Sequence, residues 1–311
     1  VTVSSTGPDM RWWPINPAPT AASFSFEIER ASVSTPETIL LSGLRVRPTG
    51  TTPLSNANIY MTCVNTTGTC GITGVTAGSG GTNFGTLSSV AGAAVRLSVT
   101  GTATQTAGAG NELTITAYDQ FGNVATGYTG GKNLTFSGLA NSPDGNVPQV
   151  EGTNQGTPAA VTFTSGVSNT NAATLVAYKA ETGSVDVTDG TINSTGDAAY
   201  DLDLTVNPAT AGRLEMTAAS GTVNAGATNE LTIIAKDAYG NLATGYTGGK
   251  NLTFSGIANA PAGNVPTVES SVISAPIAIT FTSGATDGSN ASLVAFKAEG
   301  PVELEVSDGT I

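Results

Sequence analysis

Residues 111–138 read N-E-L-T-I-T-A-Y-D-Q-F-G-N-V-A-T-G-Y-T-G-G-K-N-L-T-F-S-G, and residues 229–256 read N-E-L-T-I-I-A-K-D-A-Y-G-N-L-A-T-G-Y-T-G-G-K-N-L-T-F-S-G. They open a longer match in which 111–181 aligns without a gap onto 229–299, at an offset of 118, with 46 of 71 positions identical. Duplication at a fixed period marks an array of like domains. Inside each copy the period is 2. Leu113, Ile115 and Ala117 alternate with Thr114, Thr116 and Tyr118, and D-Q-F-G-N then supplies a turn. Further strands are predicted near Asn133–Ser137, Val161–Thr164, Thr174–Ala180 and Ser184–Thr188, with no 3.6-residue period over helical length. About seven short strands in about 110 residues predict an antiparallel β-sandwich. The fold class expected is all-β: tandem sandwiches preceded by an N-terminal β-domain.

Working outward, the first copy runs on past D-G-T-I at 189–192 to Y-D-L-D-L-T-V-N-P at 200–208. Leu202, Leu204 and Val206 alternate there with Asp201, Asp203 and Thr205, the pattern of a strand that closes the sandwich. The second copy reaches its own D-G-T-I at 308–311, and nothing equivalent follows in these 311 residues. A sandwich without that strand exposes an unpaired edge and an apolar slot. Three absent apolar side chains, at about 1.5–3 kcal/mol each, withhold stabilisation comparable to that of a whole domain.

Val1-Thr2-Val3-Ser4-Ser5 is similar to Leu204-Thr205-Val206-Asn207-Pro208. Val1 and Val3 would face the core and Thr2 the solvent. Two readings stand ahead of a third, an isolated monomer. In one, the N-terminus of one subunit completes the last domain of the next, giving a homo-polymer, because a head-to-tail contact that does not close propagates a filament. In the other, the sequence is a segment of a longer polypeptide whose closing strand follows Ile311. The division expected is 1–8 as a possible donor strand, 9–91 as a β-domain of no assigned family, 92–208 as the first repeat and 209–311 as the second.

Composition narrows the chemistry. The chain has no His, 39 Gly, 11% charged and 39% hydrophobic residues, and 23 acidic against 11 basic side chains. Without His there is no Ser-His-Asp triad, Cys-His dyad or His-based zinc site. A net charge of −12 makes nucleic acid a poor partner. No apolar run is long enough to insert in a membrane as a helix. Up to residue 90 four basic residues (Arg11, Arg30, Arg45, Arg47) balance four acidic ones (Asp9, Glu27, Glu29, Glu37), so the whole charge lies on the repeats. Cys63 and Cys70 enclose V-N-T-T-G-T. A disulfide across a hairpin end, which implies an oxidising compartment, and a pair of free buried thiols are the two readings.

The motifs T-A-G…N-E-L-T-I-T-A-Y-D-Q-F-G-N-V-A-T-G-Y-T-G and their partner at 225–248 resemble the bacterial immunoglobulin-like repeats of large prokaryotic surface proteins, including adhesins of the invasin/intimin type. The resemblance covers about 92–311. It implies immunoglobulin-like sandwiches acting as stalk or spacer, extracellular and at the cell surface, with no enzymatic activity.

Four sets of residues carry alternatives to a purely structural role. Asp119 and Asn123, repeated as Asp237 and Asn241, offer oxygen ligands for Ca2+, but Asp capping a turn explains the same residues without any ion and is the favoured reading. Asp197, Asp201 and Asp203 cluster between the repeats, where an ion would stiffen the junction and where alternating Asp would otherwise be a solvated strand face. Trp12 and Trp13 either stack on carbohydrate or a host surface, or pack the segment after the donor strand. Lys132–Asn133 and Lys179 are the residue types of an isopeptide crosslink, although exposed lysines account for them. The duplicated acids Glu112, Glu151 and Glu181 argue for structure and against a glycosidase pair.

Overall fold

In the computed structural model the described residues are 90–311 and, before them, 81–83 and the strands Thr2–Ser5, Arg11–Pro14, Phe26–Arg30, Ile39–Ser42, Ala57–Asn58 and Thr86–Leu87. The chain falls into two compact units, Val1–Ser89 and Val90–Ile311. Every described element is a β-strand, and no described helix is long and apolar enough to cross a membrane.

Among its described residues the first unit has three antiparallel pairs. Thr2–Ser5 pairs with Ile39–Ser42, in the register Thr2 opposite Ser42 and Ser5 opposite Ile39. Arg11–Pro14 pairs with Phe26–Arg30 with a register shift between Arg11 and Trp12, and Ala57–Asn58 pairs with Thr86–Leu87.

The second unit holds both repeats as β-sandwiches. In the first repeat, one run of hydrogen-bonded strands goes from Arg96–Thr100 through Thr114–Tyr118, Val167–Ser168, Ala159–Thr164, Gly130–Ser137 and Glu181–Thr188 to Leu202–Asn207 and Thr104–Thr106. A second sheet is made of Thr153–Asn154, Gln149–Val150, Thr174–Val176 and Gly110–Glu112. The period-2 pattern decides which side chains enter the core: Leu113, Ile115, Leu134, Phe136, Val161, Phe163, Leu175, Val185, Val187 and Leu204 are all buried. The strand predicted over Thr174–Ala180 stops at Val176, opposite Gly110 where its partner strand begins; just beyond, the Ala177 carbonyl accepts the Gly108 N–H at 2.9 Å.

Much of this core recurs in the second repeat, from Leu231 and Ile233 through Leu252, Phe254, Ile279 and Phe281 to Leu293. A five-stranded sheet (Arg213–Ala218, Thr228–Lys236, Ser292–Val294, Thr267–Val268, Ser271–Val272) faces a three-stranded one (Ile277–Phe281, Gly248–Ser255, Glu305–Ser307). Each repeat also pins its last turn by a tyrosine. Tyr128 donates its O–H to Asp189 at 2.8 Å and Tyr246 to Asp308 at 2.8 Å, while each ring meets a phenylalanine edge-on. The lysines at Lys132 and Lys250 lie over those same tyrosine rings, at 4.6 and 4.5 Å from the centroids.

Candidate assembly site: the open edge of the second repeat and the joint between the repeats

In the first repeat Leu202–Asn207 is the strand that the alternation at 200–208 predicts. It pairs antiparallel with Glu181–Val185 and parallel with Thr104–Thr106, and it buries Leu202, Leu204 and Val206. In the second repeat the equivalent sheet stops at Glu305–Ser307, which is paired on one side only, with Thr253–Ser255. The consequence is measurable in the core. Leu97, Val99, Val185 and Val187 are at most 2% exposed, whereas their counterparts Leu214, Met216, Leu304 and Val306 are only partly buried. These four side chains, with Phe254 and Ile273, line a cleft of about 560 Å³. A strand with apolar residues at alternate positions fits such a cleft by adding ladder hydrogen bonds along the free edge while it covers the apolar floor.

The sequence placed candidate donor residues at Val1–Ser5. Thr2–Ser5 is here a strand, and its partner is Ile39–Ser42 of the same chain; Val1 lies outside the described residues. Donation to another subunit therefore requires that four-residue pairing to exchange. Trp12 and Trp13 sit in the strand paired with Phe26–Arg30, of which the backbone is described. Cys63 and Cys70 lie outside the described residues.

In the D-x-x-G-N turns the Asp and Asn side chains are buried and both aspartate oxygens are already engaged. Asp119 Oδ1 accepts the N–H groups of Phe121 and Asn123, both at 2.9 Å, and Oδ2 accepts the Gly92 N–H at 2.8 Å. Burial pushes the Asp119 carboxyl up, but the Asn123 amide and these three N–H groups outweigh it and hold the pKa at about 2. Asp237 repeats the arrangement with Tyr239, Asn241 and Ala209. These are the bonds of a turn cap, the alternative to calcium ligation that the sequence left open. Among the described residues no three His, Cys, Asp or Glu side chains group to hold a metal ion.

Of the three aspartates between the repeats, Asp203 is exposed on the closing strand and Asp197 caps its own turn at the Ala199 N–H. Asp201 instead faces Asp186, and the Oδ1 atoms of both are buried without a donor. Burial, then the Asp186 carboxyl, push the Asp201 carboxyl above its ordinary value, with Asp197 adding to the repulsion and a Ser194 hydrogen bond opposing it. The folded state thus binds a proton more tightly than the unfolded chain. The associated stability is present below the ordinary Asp value and is lost as pH rises through the raised folded value. Asp201→Asn is expected to be more stable than the native protein at neutral pH and to converge with it in acid; thermal melts from the ordinary Asp value, about pH 4, up to about pH 7 check this, and a constant difference would refute it.

Neither lysine pair makes the crosslink geometry. Lys179 is ion-paired with Glu181 at 3.0 Å, Lys297 with Glu299 at 2.9 Å, and Asn133 is exposed. The duplicated acids hold backbone in both copies: Glu151 accepts the Thr174 N–H and Glu269 the Ser292 N–H, at 2.7 and 2.8 Å. Glu112 and Glu230 likewise accept the hydroxyls of Thr174 and Ser292.

Sequence reasoning missed the joint between the repeats. The corner of the second repeat enters the end of the first. Asn241 Oδ1 accepts the Ala180 N–H at 2.8 Å and Asn241 Nδ2 donates to the Tyr178 carbonyl at 2.7 Å. The Tyr239 ring lies 5.0 Å from that of Tyr178 and covers Gly108. Gly108, at φ +80°, has no room for a side chain, since a Cβ would come within 1.9 Å of the Tyr239 hydroxyl. Arg213 closes the joint with a two-pronged pair to Asp144, 2.8 and 2.9 Å, which holds the Asp144 carboxyl below its ordinary range. The signal lay in the places where the copies differ: Tyr239 for Phe121, and Asp144 where the second copy has Ala262.

No family model matches the chain, and no curated protein does. Two solved structures are similar to it. The Escherichia coli adhesin FdeC is 20% identical with a TM-score of 0.33, over 68% of each chain. The Yersinia pseudotuberculosis adhesin InvE is 18% identical with a TM-score of 0.30, over 69% of this chain and 56% of its own.

Proposed function

We propose that this chain is a non-catalytic structural component of the cell exterior, a row of immunoglobulin-like sandwiches in which the second repeat is completed by a donated β-strand. The donor is Val1–Ser5 of another copy, and head-to-tail repetition gives a filament. The observation that supports this most is the unequal burial of two copies of one core: tight at Val185 and Val187, open at Leu304 and Val306. A slot that the first repeat fills with Leu202, Leu204 and Val206 is left unfilled in a repeat built on the same pattern. A second reading, the stalk of a larger surface adhesin, is favoured by the joint, where a buried Asn, two tyrosines and an ion pair fix one repeat on the next. In that reading the strand comes from a domain that follows.

Two synthetic peptides separate the readings: Leu202–Pro208 (LDLTVNP) and Val1–Pro8 (VTVSSTGP), each added to the full chain. Filament assembly predicts that both raise the melting temperature of the second repeat and that Val1–Pro8 competes with polymer formation in size-exclusion runs. Binding of Leu202–Pro208 alone overturns self-donation and leaves the stalk. Binding of neither overturns the strand slot itself.

A further inference from the structure

We propose that the far end of the second repeat is a docking seat for the D-x-aromatic-G-N corner of a further immunoglobulin-like repeat of the same kind. This rests on the stalk reading above and names its partner.

The seat is a copy of one that is occupied within the chain. At the end of the first repeat, Gly108, Tyr178 and Ala180 receive Tyr239 and Asn241. Their counterparts 118 residues on are Gly226, Phe296 and Ala298. The supporting bonds are already made there. The Gly226 N–H reaches the Ala295 carbonyl at 2.8 Å, as Gly108 reaches Ala177 at 2.9 Å. Lys297 pairs with Glu299 as Lys179 does with Glu181, and Glu299 accepts the Ala258 N–H as Glu181 accepts that of Ala140. With Phe296 in place of Tyr178 and Ala262 in place of Asp144, the backbone of the seat is kept and its occupancy differs. A Cβ on Gly108 would strike Tyr239, whereas one on Gly226 would meet nothing within 4 Å. Ala177 is 2% exposed and Ala180 half-buried, while Ala295 is half-buried and Ala298 exposed.

The corner's asparagine is a docking group in its own right. Asn241 spends its amide oxygen on the Ala180 N–H, and in the first repeat the equivalent buried oxygen, Asn123 Oδ1, has no donor. The chemistry of the partner follows. It brings an aromatic ring to lie over Gly226, and an Asn to take the Ala298 N–H and give to the Phe296 carbonyl. It needs no arginine equivalent to Arg213, because Ala262 stands where Asp144 provides the acid.

The test extends the full chain after Ile311 by a second copy of residues 193–311, which supplies a closing strand and a corner together. Docking predicts that amide exchange at Ala298 slows at least about tenfold relative to the 311-residue chain. Replacing the appended copy's counterpart of Asn241 by Ala restores fast exchange while the melting temperature of the second repeat stays raised by its new strand. Gly226→Asn, which tolerates the left-handed backbone and fills the ring's place, is expected to do the same. A raised melt with unchanged exchange at Ala298 overturns the seat and leaves strand completion standing. No change in either overturns both.

Discussion

Appending residues 193–208 alone after Ile311 is expected to raise the melting temperature of the second repeat by about 10 °C or more. Three apolar side chains entering the cleft contribute about 5–9 kcal/mol by burial. Ordering the strand takes back a large part, at about 1 kcal/mol or more per residue. Ladder hydrogen bonds along Glu305–Ser307 and renewed burial of Leu214, Met216, Leu304 and Val306 add to the balance. A net gain of about 2–3 kcal/mol corresponds to that shift for a domain of this size. Calorimetry of the extended chain measures it. The control is the same extension with Asp at the position copied from Leu204: a buried unpaired carboxylate should abolish the gain. An extension that leaves the melt where it was would mean that the cleft does not accept a strand.

The converse change is made in the first repeat. Leu204→Ala is expected to destabilise that repeat by about 2–5 kcal/mol. Leu204 is fully buried and lies opposite Gly183, which has no side chain to move into the gap. The substitution leaves the neighbours Val185, Val187, Leu97 and Val99 in place and opens a void beside them, so the first repeat comes to resemble the second. Urea unfolding followed by amide exchange at the two cores reads the effect separately: protection at Leu134 and Phe136 falls while that at Leu252 and Phe254 holds. Equal losses in both repeats would show that the joint, rather than the closing strand, carries the stability of the pair.

Much of this architecture is legible in residues 92–311 because alternation is a local property. Leu113, Ile115 and Ala117 face inward wherever the strand lies, since successive side chains on a strand point to opposite faces. The same rule found Leu202–Asn207 and exposed the difference between the repeats. It was silent on the joint, because Asn241 and Ala180 are 61 residues apart and nothing periodic links a turn in one domain to a loop in another. The N–H groups that converge on Asp119 and Asp237 come partly from residues far along the chain, Gly92 and Ala209, which no local pattern links to the turn. The pairing of Asp201 with Asp186 was equally hidden: a row of aspartates looks like a solvated face until another strand sets a carboxylate beside it.

The sequence by itself therefore determined the all-β class, the duplicated sandwich, the identity of the closing strand and the exclusion of His-based chemistry. Those follow from composition, period and repetition, which each residue carries with it. Only the tertiary structure decided where Thr2–Ser5 pairs, that the D-x-x-G-N corners are filled by N–H donors, and that one corner locks into the end of its neighbour. Each of these depends on groups distant in sequence meeting at hydrogen-bond range, and that distance is set by packing of whole sheets rather than by any local pattern.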